Sequence, residues 1–188
     1  MIASYLRLSF PNLKDLDVVE IDPTSPLRTL LRTAKTYIRT YYSITEAKGW
    51  VRADGARCED IADLTFEDES FDIIVSSDVL EHVNDLQSAF RETYRVLRSG
   101  GIHLFTVPPG ETTIKRADIE ESGIIYLTTP QYHLDPLNPD GILAFWTFGM
   151  DAGRLFSFPG LQISILDGPK GRDDRVIWGA VKTKKMTN

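Results

Sequence analysis

Phe71-Asp72-Ile73-Ile74-Val75-Ser76-Ser77 is the stretch on which the fold turns. Its nearly continuous apolar run has the length of a strand, and such runs occur where both faces of a parallel sheet are covered. Downstream, Leu86, Ala89, Phe90, Tyr94 and Leu97 recur at helical spacing, and Ser99-Gly100-Gly101 stops that helix. Another strand, residues 102–107, begins at once and is cut by Pro108-Pro109-Gly110. Upstream, residues 17–21 read as a short buried strand ended by the turn residues Asp22-Pro23-Thr24-Ser25-Pro26. Ser25 suits an N-cap and Pro26 the first helical position, which predicts a helix over 26–34 with Leu27, Leu30 and Leu31 on its apolar side. Residues 37–45, rich in aromatic and β-branched side chains, predict a second strand, and residues 50–53 a short third. Strand and helix alternate, so the expectation is a Rossmann-like, doubly wound and mostly parallel α/β sheet with helices on both faces.

Beyond Gly110 the pattern weakens, with several Pro and Gly residues and one mixed segment, residues 123–127. A long excursion after a strand's carboxyl end commonly serves as a lid or a substrate wall. A helix over 148–156, a strand over 161–166 and an antiparallel last strand over 176–181 complete the reading, with a hairpin loop over 168–174. The 188 residues fit one domain, with a lid or substrate insert at about 108–146.

Composition narrows the function classes. With 42% hydrophobic and 26% charged residues the chain has the makeup of a folded globular protein. Its longest apolar candidate, residues 142–148, is far shorter than the roughly 18 residues a membrane span needs. The start carries no secretory pattern, and a cytoplasmic location is expected. Lys and Arg number 21 against 27 Asp and Glu, a net charge of −6, which disfavours nucleic acid as a partner. Cys58 is alone, so an internal disulfide and a cysteine-rich metal site are both excluded. Glu67-Asp68-Glu69 has neither His nor Cys beside it and reads as a solvated charge run, so no metal is expected.

Three ordered blocks carry a resemblance. Asp60-Ile61-Ala62-Asp63-Leu64 leading to Phe71-Asp72, then Val79-Leu80-Glu81-His82-Val83, then Tyr94-Arg95-Val96-Leu97-Arg98-Ser99-Gly100-Gly101 resemble class I S-adenosylmethionine-dependent methyltransferases. The resemblance implies a cofactor laid across the carboxyl ends of the strands where strand order reverses. By position it assigns Asp60 to the adenine amino group and the backbone amide of Ile61 to a ring nitrogen, although Asp60 also reads as a turn cap. It assigns Glu46 to the ribose hydroxyls, with a solvated loop charge as the competing reading, and Ser76 and Ser77 to the pocket floor. Glu20 matches the family's acidic position. Asp22 stands where the first glycine of the cofactor loop is expected, and 20–25 contain no glycine at all.

The implied reaction is methyl transfer from S-adenosylmethionine to a small-molecule acceptor. Histidine is the best-suited base near neutral pH, which makes His82 and His133 the candidate catalytic residues, with Asp135 as an orienting partner. Tyr132 and Trp146 read as a substrate wall or as packing of the insert. His103, inside a strand, reads as an ordinary sheet residue. The missing glycines keep open a second class, a noncatalytic module that retains the fold for binding or scaffolding. A nicotinamide oxidoreductase is disfavoured because no dinucleotide fingerprint follows the first strand. The expected partner is a small molecule, with neither nucleic acid nor membrane, and a homodimer is left open.

Overall fold

Alternating side-chain direction along the central strands sets the layering. Val18 and Val19, Ile73 and Ile74, Leu104 and Phe105, and Ile177 and Trp178 are sequence neighbours, all buried. The first of each pair joins one apolar cluster and the second joins another, on opposite faces of one sheet. The computed structural model describes residues 1–22, 24–135, 138–168 and 176–183. Its main sheet holds β1 (Asp17–Glu20), β2 (Thr36–Tyr41), β3 (Arg57–Cys58), β4 (Phe71–Ser77), β5 (Leu97–Thr106), β6 (Leu161–Asp167) and β7 (Ile177–Lys182). The spatial order is β6-β7-β5-β4-β1-β2-β3. Strands β1 to β5 pair in parallel, while β7 runs antiparallel to both β5 and β6. This is the expected doubly wound α/β sheet with its antiparallel C-terminal strand.

Helices cover both faces. Ile2 and Leu6 of α1 (Ile2–Ser9) and Leu31 of α2 (Arg28–Leu31) pack with Val18, Ile73 and Val75. Leu86 and Phe90 of α3 (Leu86–Val96) and Phe156 of α4 (Ala152–Phe156) pack with Val19, Ile74 and Phe105. Each large side chain buried in this way contributes about 1.5–3 kcal/mol. Asp85 caps α3, its carboxylate accepting from the Ser88 backbone amide at 3.0 Å. Among the described residues no helix is long and apolar enough to cross a membrane.

Several local expectations need correction. The helix expected over 26–34 shrinks to α2, because the Thr33 and Ala34 amides bond three residues back and tighten the chain into β2. Ser25 nonetheless acts at this start, its hydroxyl accepting from the Leu27 amide at 3.0 Å. The second strand ends at Tyr41 rather than 45, since the Ser43 hydroxyl accepts from the amides of Thr45 and Glu46 and closes a turn there. Of residues 50–53 only Val51 forms a bridge, to Arg57, and the edge strand is β3 instead. The helix expected over 148–156 splits into an extended Trp146–Gly149 and α4. Gly149 packs against the chain at Thr112, where a Cβ would lie 2.4 Å from the Thr112 Cα. The helix α1 carries no expectation from the sequence. Most of the loop expected over 168–174 lies outside the described residues.

The stretch after β5 builds small antiparallel hairpins. Ala117–Glu120 pairs with Gly123–Tyr126, and Tyr132–Asp135 pairs with Asn138–Leu143. Trp146–Gly149 bridges Pro109–Gly110 and Ile114–Lys115, closing the excursion at its base.

Candidate active site

Strand order reverses between β1 and β4, so the chain leaves the sheet in opposite directions there and opens a crevice beyond the carboxyl ends. Glu20 ends β1 at that point and is 1% exposed. The Tyr37 hydroxyl donates to its Oε2, while Oε1 has no hydrogen-bond partner among the described residues. Burial pushes the Glu20 carboxyl pKa up, partly offset by the Ser25 hydroxyl and by Tyr37. After Ile21 the chain turns without glycine. Asp22 Oδ1 accepts from the Thr24 amide at 2.7 Å and from the Thr24 hydroxyl at 3.0 Å, so a side chain does the folding that glycine conformation would otherwise allow.

Along the β2 and β3 edge, Tyr41 ends its strand buried, with the Arg52 guanidinium 3.6 Å above its ring. Glu46 lies beyond the strand in the following loop, where the same Arg52 donates to its Oε2 at 2.5 Å and holds the carboxyl pKa down. Asp60 follows β3, and its Oδ1 accepts from the Ala62 amide at 2.8 Å. Ile61 beside it is buried. The neighbouring Glu59 is structural, since both its oxygens are taken by Arg57 and Thr65.

At the end of β4 the two serines part ways. Ser76 is fully buried and its hydroxyl lies 2.8 Å from His103 Nε2 on β5. Ser77 lies at the strand end and is partly exposed. Asp78, next in line, has a left-handed backbone (φ 52°), held by its amide donating to the Thr106 carbonyl at 2.9 Å. Such a conformation on a non-glycine residue stores strain at the crevice mouth.

The turn that follows, Leu80–His82, is the anchor of the excursion. The Phe145 amide donates to the Glu81 carbonyl at 2.8 Å, Trp146 Nε1 donates to the Asn84 carbonyl at 3.1 Å, and His82 Nδ1 lies 2.8 Å from the Leu143 carbonyl. These contacts bring His133, on the strand paired with Asn138–Leu143, over the turn. Its Nδ1 is 3.5 Å from Glu81 Oε1, and its ring meets the His82 ring edge-on with centroids 5.0 Å apart. The Glu81 carboxylate beside it raises the His133 pKa. Two histidines far apart in sequence are thus joined through Glu81, which is 1% exposed.

Tyr132 stands 53% exposed with its hydroxyl 3.2 Å from that of Tyr126. Trp146 instead packs edge-on against Phe156 at 5.5 Å and ties the excursion to the core. The side chain of Asp135 lies outside the described residues. Glu81 stands in the sequence inside the block of residues 79–83 without a role of its own. Its signal was the acidic residue beside His82, in a turn whose apolar neighbours Leu80 and Val83 mark it as packed.

A doubly wound sheet whose strand order reverses between β1 and β4 is the architecture of α/β enzymes that bind ligands beyond the carboxyl ends of their strands. Within that class the chain belongs to the methyltransferase domain family, which its residues 8–105 match. S-adenosylmethionine is the cofactor of this family, as the sequence blocks imply. The sarcosine/dimethylglycine N-methyltransferase of Halorhodospira halochloris is 35% identical over 75 residues, which are 40% of this chain and 25% of that protein. The chain therefore spans about a quarter of the length of that curated relative. An S-adenosylmethionine-dependent methyltransferase from Mesorhizobium loti superposes with a TM-score of 0.59 at 16% identity, covering 95% of this chain and 96% of the other. The [4+2]-cyclase SpnF gives a TM-score of 0.60 at 15% identity, covering 98% and 80%. At these identities the structural likeness speaks for the fold.

The residues present fit the cofactor. A buried carboxylate oxygen without a partner, at the end of β1, calls for a cationic donor, and the methionine ammonium of S-adenosylmethionine is one. The glycine-free loop does not argue against this, because the cofactor carries no phosphate to be cradled by backbone amides.

Proposed function

We propose that the protein transfers the methyl group of S-adenosylmethionine to a small-molecule acceptor held beneath the 108–146 insert. The observation that carries this reading is the orphaned Oε1 of Glu20 at the switch point. When bound, the cofactor supplies an already activated methyl on a sulfonium, so the protein has chiefly to align and to exclude water. Glu20 accepts from the ammonium group, Asp60 from the adenine amino group, and the Ile61 amide donates to the adenine ring. Glu46, fixed by Arg52, takes the ribose hydroxyls, while Asp22 shapes the loop and Ser77 lines the floor with backbone from Ser76.

On the acceptor side, Glu81, His82 and His133 form the locus where an acceptor hydroxyl or ammonium loses its proton. Tyr132 and Asp135 lie on the strand that carries His133 and supply the acceptor wall, and Trp146 fixes the base of the insert. The acidic chain suits a small acceptor better than a polyanion.

Calorimetric titration with S-adenosylhomocysteine tests the cofactor half of this reading. Saturable binding is expected, and no heat at millimolar ligand would remove it. Transfer of labelled methyl to a panel of hydroxy and amino compounds tests the acceptor half. Cofactor binding with no product on any of them would favour a binding module instead.

A further inference from the structure

The Glu81 carboxylate poses a problem that the methyl-transfer reading alone leaves open. It is almost wholly buried, yet among the described residues neither oxygen receives a hydrogen bond. A buried carboxylate without donors is costly, and each such group asks for an ion, a proton or water. Two histidine nitrogens lie close to it. His133 Nδ1 is 3.5 Å and His82 Nε2 3.9 Å from Glu81 Oε1, and one ligand atom from each of the three residues lies within 4.8 Å of the others.

The tautomer of His82 is fixed by its surroundings. Its Nδ1 faces the Leu143 carbonyl at 2.8 Å, and a carbonyl only accepts, so Nδ1 carries the proton and Nε2 turns a lone pair toward Glu81. That is the arrangement in which a metal-binding histidine is oriented by a backbone carbonyl on its other nitrogen. Metal bonds of about 2.0–2.2 Å at tetrahedral angles separate neighbouring ligand atoms by roughly 3.4 Å. The 3.5 Å pair already has that spacing and the 3.9 Å pair is close to it.

From this geometry we infer that Glu81, His82 and His133 bind one divalent first-row transition metal ion, with its remaining coordination positions open to water or to an oxygen of the acceptor. Two imidazoles and one carboxylate are the donor set of zinc and non-haem iron(II) sites, whereas magnesium prefers an all-oxygen shell. Three protein ligands leave coordination positions free, and both histidines are partly exposed. The inference deepens the methyl-transfer reading by assigning the acceptor an oxygen ligand, but the site itself rests only on these three side chains.

The test uses the full chain stripped with chelator and titrated with Co2+, read by calorimetry and by the visible absorption of the bound ion. One equivalent is expected to bind, and Zn2+ to displace it. Glu81→Gln and His133→Ala are each expected to weaken binding by about tenfold or more. Unchanged melting temperatures show that the variants fold, and His133→Ala, out on the insert, carries the test if Glu81→Gln does not fold. Absence of saturable binding at millimolar Co2+, equal binding by both variants, or displacement by an equal concentration of Mg2+ would each overturn the assignment. S-adenosylhomocysteine binding, measured on the same preparation, separates the outcomes. Metal without cofactor binding would leave the site standing and the proposed function fallen, and cofactor without metal the reverse.

Discussion

Ser76 Oγ and His103 Nε2 lie 2.8 Å apart inside the sheet, joining β4 to β5 by side chains as well as by backbone. His103 is fully buried and its Nδ1 has no partner, so the imidazole is neutral with its proton on Nε2. Desolvation pushes its pKa down from 6.5 to about 3. The unfolded chain then binds a proton that the folded chain refuses. Stability from this residue is complete above about pH 6.5 and is lost as pH falls toward 3, at about 1.4 kcal/mol per pH unit. Near pH 5 the loss is about 2 kcal/mol. Melting temperatures of the wild type and His103→Asn between pH 7 and 4 check this: the wild type falls more steeply, and equal slopes would mean that the ring is not held neutral.

Glu20 sets function against stability. Its folded pKa is raised by burial, so the folded state holds the proton more tightly than the unfolded chain, and its ionisation costs stability as pH rises through that value. Glu20→Gln removes the charge and keeps the shape. The apo variant should melt at the same temperature as wild type or higher at pH 8, while S-adenosylhomocysteine affinity drops by about tenfold or more as a charge-assisted hydrogen bond is lost. Affinity that survives the change would detach Glu20 from the cofactor.

Much of this was legible in the sequence, and what was not has definable causes. Strand β4 and most of helix α3 were readable because their local period agrees with the tertiary structure. But α3 ends at Val96 and β5 already begins at Leu97, so Ser99-Gly100-Gly101 lies within the strand and is not the stop that ends the helix. The split at Gly149 was hidden because its cause is a close approach to Thr112, a contact between distant segments. His82 and His133 were identifiable as candidate bases by chemistry, but their juxtaposition depends on backbone bonds from Leu143 and Phe145, which no periodicity encodes. Ser76 reads from sequence as pocket floor through its backbone, and the contact of its hydroxyl with His103 was not legible, since side-chain direction at a strand's last residues depends on register.

The glycine pair after α3 offers a sharp test of backbone demands. Gly100 has φ +83°, which an L side chain adopts at about 1 kcal/mol of cost. Gly101 has no such angle but no room either: a Cβ would lie 2.9 Å from the Arg98 carbonyl and 3.0 Å from the Asp72 carbonyl, both rigid backbone. Gly100→Ala should lower stability by about 1 kcal/mol and Gly101→Ala by about 1–3 kcal/mol, as overpacking does. Urea unfolding of the two variants checks the order, and a neutral Gly101→Ala would contradict the packing of α3 into β5.

Asp60 separates a turn cap from a ligand contact. One oxygen is occupied by the Ala62 amide, which an asparagine carbonyl can equally accept. Asp60→Asn therefore keeps the cap and should leave the melting temperature near that of wild type, whereas Asp60→Ala should lower it. Adenine binding makes a different demand. Its amino group needs a second acceptor, and the asparagine NH2 that replaces the other oxygen presents a donor instead. Both variants should then lose about tenfold or more in S-adenosylhomocysteine affinity by calorimetry. Loss in Asp60→Ala alone would show that the residue acts only through the turn, and the adenine contact would pass to another side chain of the β3 edge.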